Sequence, residues 1–181
     1  MKDLRSEVIK YAKMLNSKKL SALRSGNISA RYKDGFLITP SGTKYSSLKS
    51  KDIVFVSLEG VFDKKKGIPS SEWRFHQDIY KNKIEAKAIV HAHSNYATAI
   101  STHGKGIPAF HYMVAMAGGN DIKCAKYATY GTRELSKNIL KTLRQRKACL
   151  IGNHGQIAFS ENLSKAFELA EEVENLSNQY I

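Results

Sequence analysis

The sequence is short of cysteine, of acidic residues and of long apolar runs, and each scarcity excludes something. Its two cysteines, Cys124 and Cys149, each stand alone in their neighbourhood. Neither a disulfide framework nor a CxxC metal knuckle can be built from them, and a reducing cytoplasm is the expected setting. No stretch approaches the roughly eighteen consecutive apolar residues that a membrane helix requires. Met1 leads into Lys2, Asp3 and Arg5 rather than into a secretory apolar core. A soluble protein with no membrane partner is expected. Internal repeats and low-complexity linkers are absent too, and with 181 residues, 42% of them hydrophobic, the chain is expected to form one compact domain over 1–181.

Acidic residues number 16 against 29 lysines and arginines, a formal charge of +13. Such a surplus attracts polyanions, so nucleic-acid binding has to be weighed. The lysines, however, are scattered through nearly every segment. The only short clusters are Lys64-Lys65-Lys66 and Arg144-Arg146-Lys147, and no aromatics are interleaved with them. This is the pattern of a solvated basic surface, and no nucleic-acid partner is expected.

Periodicity outlines the elements. Leu4, Val8, Tyr11 and Leu15 stripe an opening helix over 3–16. Strands are expected at 27–32 and 36–39 around an Asp34-Gly35 hairpin turn, and a second hairpin at 53–58 and 61–62 around Glu59-Gly60. Pro69-Ser70-Ser71-Glu72 reads as a serine-capped helix start, with Trp73, His76 and Tyr80 following at helical spacing. A strand over 86–93, a short helix over 95–102 and a Thr132-capped helix carrying Leu135, Ile139 and Leu143 come next. Strands at 148–151 and 156–159 flank Gly152-Asn153-His154-Gly155, and a helix from Leu163 to Leu176 closes the chain. Hairpins next to helices predict a largely antiparallel sheet with helices packed on it. They exclude a parallel dinucleotide-binding fold, whose GxGxxG spacing is also absent.

His91-Ala92-His93 ends an apolar run. Side chains two apart in a strand share a face, so both imidazoles can converge on one ion, although an isolated HxH is as readily a packed pair at a sheet edge. His154 lies beside glycine in a tight turn, where a side chain can be aimed at a site built elsewhere. Alone it reads equally as a plain turn histidine. Three neutral imidazoles would leave an ion its full charge and an open position, as Lewis-acid chemistry on a carbonyl requires. Glu72 falls in the first turn of its helix, where the dipole favours a carboxylate; it is a candidate ligand or base, or an ordinary helix-start glutamate. Gly26-Asn27 and Ser41-Gly42 are small-residue turns that can bring backbone N–H groups to an anion, and Ser70 and Ser71 add hydroxyls at a positive helix end.

Taken together these pieces occur in a known order. Ser25-Gly26-Asn27-Ile28-Ser29, Ile38-Thr39-Pro40-Ser41-Gly42, Pro69 to His76, Val90-His91-Ala92-His93, the stretch from Ile107 to Leu135, and His154-Gly155 resemble class II aldolases of the fuculose-1-phosphate aldolase type over nearly the whole chain. The resemblance implies a three-layer α/β/α fold around a mixed, mainly antiparallel sheet, and a homotetramer with sites at subunit interfaces. It implies one Zn2+ per subunit on His91, His93 and His154, with Glu72 as a further ligand and as proton shuttle. The phosphate of a sugar phosphate would lie among Gly26, Asn27, Ser41, Gly42, Ser70 and Ser71. Tyr112 matches a tyrosine that reaches a neighbouring subunit's site and protonates the aldehyde-derived oxygen. Tyr130 matches a position, usually phenylalanine, that lines the aldehyde pocket. The implied reaction is cleavage of a ketose 1-phosphate, L-fuculose 1-phosphate foremost, to dihydroxyacetone phosphate and L-lactaldehyde.

Asn153, where a second histidine often precedes the ligand, and Ser41, in place of a threonine, are departures. In relatives a tail carrying a tyrosine folds over the site, whereas the residues here end at Tyr180-Ile181. Two rivals share the fold. Sugar-phosphate 4-epimerases carry an acidic catalytic residue after the position of Pro108, where this chain has Ala109-Phe110-His111-Tyr112-Met113. Adducin-like binding modules generally lose the metal histidines, all of which are present here.

Overall fold

The computed structural model describes residues 3–181; Met1 and Lys2, part of the charged start noted above, lie outside them. Asp3 caps α1 (Leu4–Ser17) by accepting the Arg5 N–H at 3.2 Å, and Val8, Tyr11, Ala12 and Leu15 form the buried stripe that the periodicity required. β1 (Asn27–Tyr32) and β2 (Gly35–Ile38) make the first hairpin. Its turn sits one residue earlier than expected. Lys33, at φ 51, and Asp34 form it, while Gly35 already pairs with Tyr32. Register follows from burying Phe36 and Ile38 on one face and Leu37 on the other, which outweighs the turn preference of Asp-Gly.

The second hairpin expected from the sequence does not form. β3 (Val54–Ser57) pairs with β2, and only a 2.9 Å bond from the Ser57 N–H to the Val61 carbonyl marks the turn beyond it. Phe62 instead leaves to pack edge-on against Trp73, its apolar area better covered there than on a sheet edge.

α2 (Trp73–Asn82), β4 (Ala88–Ala92) and α3 (Asn95–Ser101) follow. Residues 103–131 are mostly irregular, containing a 3-10 segment at Tyr112–Ala117 and the two-residue β5 (Cys124–Ala125). Thr132 caps α4 (Arg133–Thr142) through the Leu135 N–H, as foreseen. β6 (Ala148–Ile151), β7 (Gly155–Ser160) and α5 (Leu163–Tyr180) complete the described chain.

Among the described residues, seven strands form one sheet in the order β3-β2-β1-β4-β7-β6-β5, antiparallel throughout except for β5 with β6. α1, α3 and α5 cover one face, meeting Ile28, Ala30, Ala88, Val90 and Ala158. α2 and α4 cover the other, meeting Phe36, Ile38, Ile89, Ile157 and Phe159. The three-layer arrangement and the mixed, mainly antiparallel sheet are therefore as the resemblance implied. Strand alternation has a consequence for function: Asn27 and Ser29 of β1 and His91 of β4 point to the α2 face, and Asn27 pairs directly with His91.

Candidate metal centre and the cavity beside it

Four side chains meet where β4 ends. His91 comes from the last turn of pleat in β4, and His93 lies one residue beyond the strand. His154 comes from the turn between β6 and β7, and Glu72 from the start of α2. Glu72 occupies the N-cap position rather than the first turn, and its side chain makes no capping bond. The expected serine cap is also only partial. Ser70 holds the turn through its carbonyl, which accepts the Trp73 N–H at 3.0 Å.

Two glycines allow the approach. Gly26, at φ 75, lies against the His91 carbonyl and the Ser21 hydroxyl, where a Cβ would collide. A Cβ on Gly155 would meet the Ala92 carbonyl and the His93 Cα, so the start of β7 presses directly on the end of β4. The main-chain N–H of His93 donates to Ser21 Oγ at 3.0 Å, which fixes the residue beyond the strand.

Nε2 of His93 lies 2.9 Å from Nε2 of His91 and 3.0 Å from Nε2 of His154. Nitrogens bound tetrahedrally to one zinc at about 2.0–2.1 Å stand roughly 3.3 Å apart, so a shift of a few tenths of an ångström admits the ion. The two oxygens of Glu72 lie 3.2 Å from Nε2 of His91 and of His154, and one ligand atom from each of the four residues fits within a span of 4.8 Å.

Hydrogen bonding explains why this cluster suits a cation. Nδ1 of His91 faces the Gln156 carbonyl at 2.8 Å, so it carries the proton and leaves a lone pair on Nε2. That lone pair faces a carboxylate oxygen, and two acceptors cannot bond without a cation or proton between them. Among the described residues, Oε1 of Glu72 is buried with no hydrogen-bond partner. Burial, and then the charge of His91, pushes His93 down to about 3 and His154 down to about 4. Burial opposes the Glu72 charge, but His91, His154 and His93 outweigh it and hold the carboxyl down at about 2. At neutral pH the site therefore presents lone pairs and an ionised carboxylate, the donor set of a metal with nitrogen and oxygen ligands.

A cavity of about 220 Å³ opens beside the cluster. Its walls include every residue that the resemblance assigned to phosphate: Gly26, Asn27, Ser41, Gly42, Ser70 and Ser71, and also Glu72, His154 and Tyr130. The Ser41 and Ser70 loops are stitched together by a Pro40–Pro69 bridge, with Ser41 N–H to the Ile68 carbonyl and Ser70 N–H to the Thr39 carbonyl, each 3.0 Å. Tyr112 is not brought to the site. It is 82% exposed on the 3-10 segment and does not line this cavity.

Sequence reasoning missed Arg24. It lines the cavity as its sole lysine or arginine, and its Nη1 donates to the Gly42 carbonyl at 2.9 Å, bridging the two small-residue loops. The only signal for it was adjacency to Gly26-Asn27.

The family described as Class II Aldolase and Adducin N-terminal domain matches residues 6–181. A 5-methylthioribulose-1-phosphate/5-deoxyribulose-1-phosphate aldolase of Rhodospirillum rubrum is 48% identical over 177 residues, 98% of this chain and 80% of that protein. An L-fuculose phosphate aldolase of Escherichia coli is 50% identical over 157 residues, 87% of this chain and 73% of its own length. Among solved structures, an L-fuculose 1-phosphate aldolase superposes with a TM-score of 0.95 at 40% identity, covering 99% of this chain and 85% of that one.

Proposed function

The chain belongs to the class II aldolase and adducin family and is a metal-dependent aldehyde-lyase; from that premise we propose that it reversibly cleaves L-fuculose 1-phosphate to dihydroxyacetone phosphate and L-lactaldehyde, with zinc on His91, His93 and His154. The observation that carries the reading is the convergence of three ring nitrogens and a buried carboxylate, whose Oε1 has no hydrogen-bond partner among the described residues, at the wall of a cavity lined by glycine and serine. Zinc in that position supplies positive charge where negative charge develops on the substrate's oxygens in the transition state.

The chain's own residues do the rest. The phosphate sits among Gly26, Asn27, Ser41, Gly42, Ser70 and Ser71, at the positive end of α2, with Arg24 adding the charge that hydroxyls and N–H groups lack. In condensation, Glu72 takes the carbon-bound proton from dihydroxyacetone phosphate. In cleavage the carbon–carbon bond breaks first, its electron pair passing to the dihydroxyacetone phosphate half, and Glu72 then returns the proton to that carbon. Oε1 suits this task because no hydrogen bond competes for it. Tyr130, exposed at the rim, borders the aldehyde portion. Tyr112, projecting from the surface, enters the site of a neighbouring subunit in a homotetramer and protonates the aldehyde-derived oxygen there. A cytoplasmic location belongs to the same proposal, supported by two free cysteines. Among the described residues no helix is long and apolar enough to cross a membrane.

A second reading concerns the aldehyde half alone. The Rhodospirillum relative, similar over 98% of this chain, favours 5-deoxyribulose 1-phosphate or its methylthio analogue. Incubating the zinc-loaded protein with these three ketose 1-phosphates and with L-ribulose 5-phosphate decides among them. Release of dihydroxyacetone phosphate from a ketose 1-phosphate is expected, and the ratio of kcat/KM values names the substrate. Conversion of L-ribulose 5-phosphate to its xylulose epimer, with no triose released from any ketose 1-phosphate, overturns the aldolase reading in favour of a 4-epimerase.

A further inference from the structure

Beneath the candidate site runs a buried line of polar side chains in which His76, Ser29 and Tyr80 have no part in the proposed reaction. His76 is fully buried, between Phe36 and Phe75, whose rings stack on it. Its Nε2 lies 2.5 Å from Asn27 Oδ1, and its Nδ1 lies 2.7 Å from Ser29 Oγ. Ser29 Oγ in turn meets the Tyr80 hydroxyl at 2.8 Å. At the other end, Asn27 Nδ2 donates to Glu72 Oε2 and to Ser70 Oγ, each at 3.0 Å.

Two periodicities produce this line. Asn27 and Ser29 are two apart on β1, a rise of roughly 6.6 Å. His76 and Tyr80 are four apart on α2, a rise of roughly 6 Å. The matched steps let helix and strand present alternating partners to one another, and His76 sits where both of its nitrogens can be used.

Only one arrangement of protons satisfies every group. An ionised carboxylate accepts and cannot donate, so Asn27 must turn its NH2 toward Glu72 and its carbonyl toward His76. His76 must then carry its proton on Nε2 and accept at Nδ1 from the Ser29 hydroxyl, which accepts from Tyr80. An amide has two nearly isosteric orientations, and nothing else on this side of Asn27 distinguishes them.

We propose that His76 is a positioning residue: by donating from Nε2 it fixes the Asn27 amide so that one N–H holds Glu72 Oε2, the other holds Ser70 Oγ, and Oε1 is left free toward the substrate. The inference rests on Glu72 being the proton shuttle. Losing the donor leaves the buried Asn27 carbonyl unpaired, so the amide turns in search of another donor and loosens its hold on Oε2, which displaces the base without removing it.

Two amide substitutions separate the Nε2 donor from the ring. In His76→Gln the amide nitrogen takes the place of Nε2 and keeps the donor to Asn27. In His76→Asn the shorter amide reaches only the Ser29 side. The assay is exchange of the carbon-bound proton of dihydroxyacetone phosphate with D2O, which reads the proton step without carbon–carbon bond formation. His76→Asn should lower kcat for exchange about 10- to 100-fold, the range for losing an oriented hydrogen bond to a charged group. His76→Gln should stay within about threefold of the unaltered protein, and zinc content should match in all three. Equal exchange rates in the two variants would overturn the proposal. Should either variant fail to fold, the 15N-detected tautomer of His76 in the unaltered, metal-free protein still decides: a proton on Nε2 supports it, and a proton on Nδ1 refutes it. Absence of exchange in the unaltered zinc protein would instead count against Glu72 as shuttle, while the tautomer measurement stands by itself.

Discussion

Replacing Glu72 by glutamine should move stability and activity in opposite directions. The side chain is almost entirely buried, Oε1 has no partner, and Oε2 has only the Asn27 amide to satisfy it. Once the ring nitrogens around it are neutral, above the range in which His93 and His154 titrate, the metal-free site holds a carboxylate against lone pairs. Leaving one charged acceptor unsatisfied costs about 1–3 kcal/mol, and a glutamine N–H donating to Nε2 of His154 or His91 recovers about 1 kcal/mol more. For a chain of this size each kcal/mol is worth about 2–4 °C. The metal-free Glu72→Gln protein is therefore expected to melt about 4–16 °C above the unaltered one in EDTA at pH 8. The zinc-loaded variant should turn over 10²–10⁴ times more slowly, the usual loss for a positioned acid or base. Differential scanning calorimetry and a coupled assay for dihydroxyacetone phosphate measure the two effects. Full activity refutes the assignment of Glu72, and a lower metal-free melting temperature refutes the reasoning about its unpaired oxygen.

Arg24→Gln should raise KM for a ketose 1-phosphate and the inhibition constant of inorganic phosphate about 5- to 30-fold with kcat nearly unchanged, a modest factor because the guanidinium is partly in water; equal inhibition constants would remove it from the site. His76 is pushed down to about 3 by burial, against about 6.5 when unfolded, so the unfolded chain binds the extra proton. Stability from this residue is complete above pH 6.5 and is lost as pH falls toward 3, by about 3–5 kcal/mol, so urea titrations of the metal-free His76→Gln protein should show a flatter acid limb than the unaltered protein. Chelation should abolish turnover, and zinc at about a hundred times its dissociation constant should add about 2.7 kcal/mol to stability, an increment that His91→Ala eliminates in a thermal melt. Mixed assemblies of Glu72→Gln and Tyr112→Phe chains should regain activity that neither has alone; no gain after subunit exchange would place Tyr112 outside the reaction.

Much of the architecture was legible because it depends on period. The stripe Val8, Tyr11, Leu15 and the Thr132 cap required no knowledge of partners, and α1 and α4 fall where these signals placed them. What failed depended on competition between distant segments. Val61-Phe62 has the composition of a strand, but Trp73 offers Phe62 a better place, and β2 already supplies the partner of β3. Residues 103–131 carry little periodicity, so β5, two residues held by pairing with β6, had no signal to give. At the site, residue types could nominate His91, His93, His154 and Glu72. Their convergence lay in loop geometry instead: Gly155 against Ala92, and Glu72 at the cap rather than within the helix. Arg24 and His76 went unassigned because their roles arise only from what they touch.

The contact between Gly155 and the end of β4 bears on how this centre can be altered. Where side chains separate two strands, their volumes set the gap, and repacking the interior drifts the ligands. Here main chain touches main chain between His93 and His154, so the spacing is inherited from the peptide backbone. Interior residues such as Ile157 or Val90 could be exchanged for others of like size while the span offered to an ion stays fixed, whereas even alanine at position 155 would wedge the two strands apart. The spacing between these two histidines is thus set at a residue with no side chain.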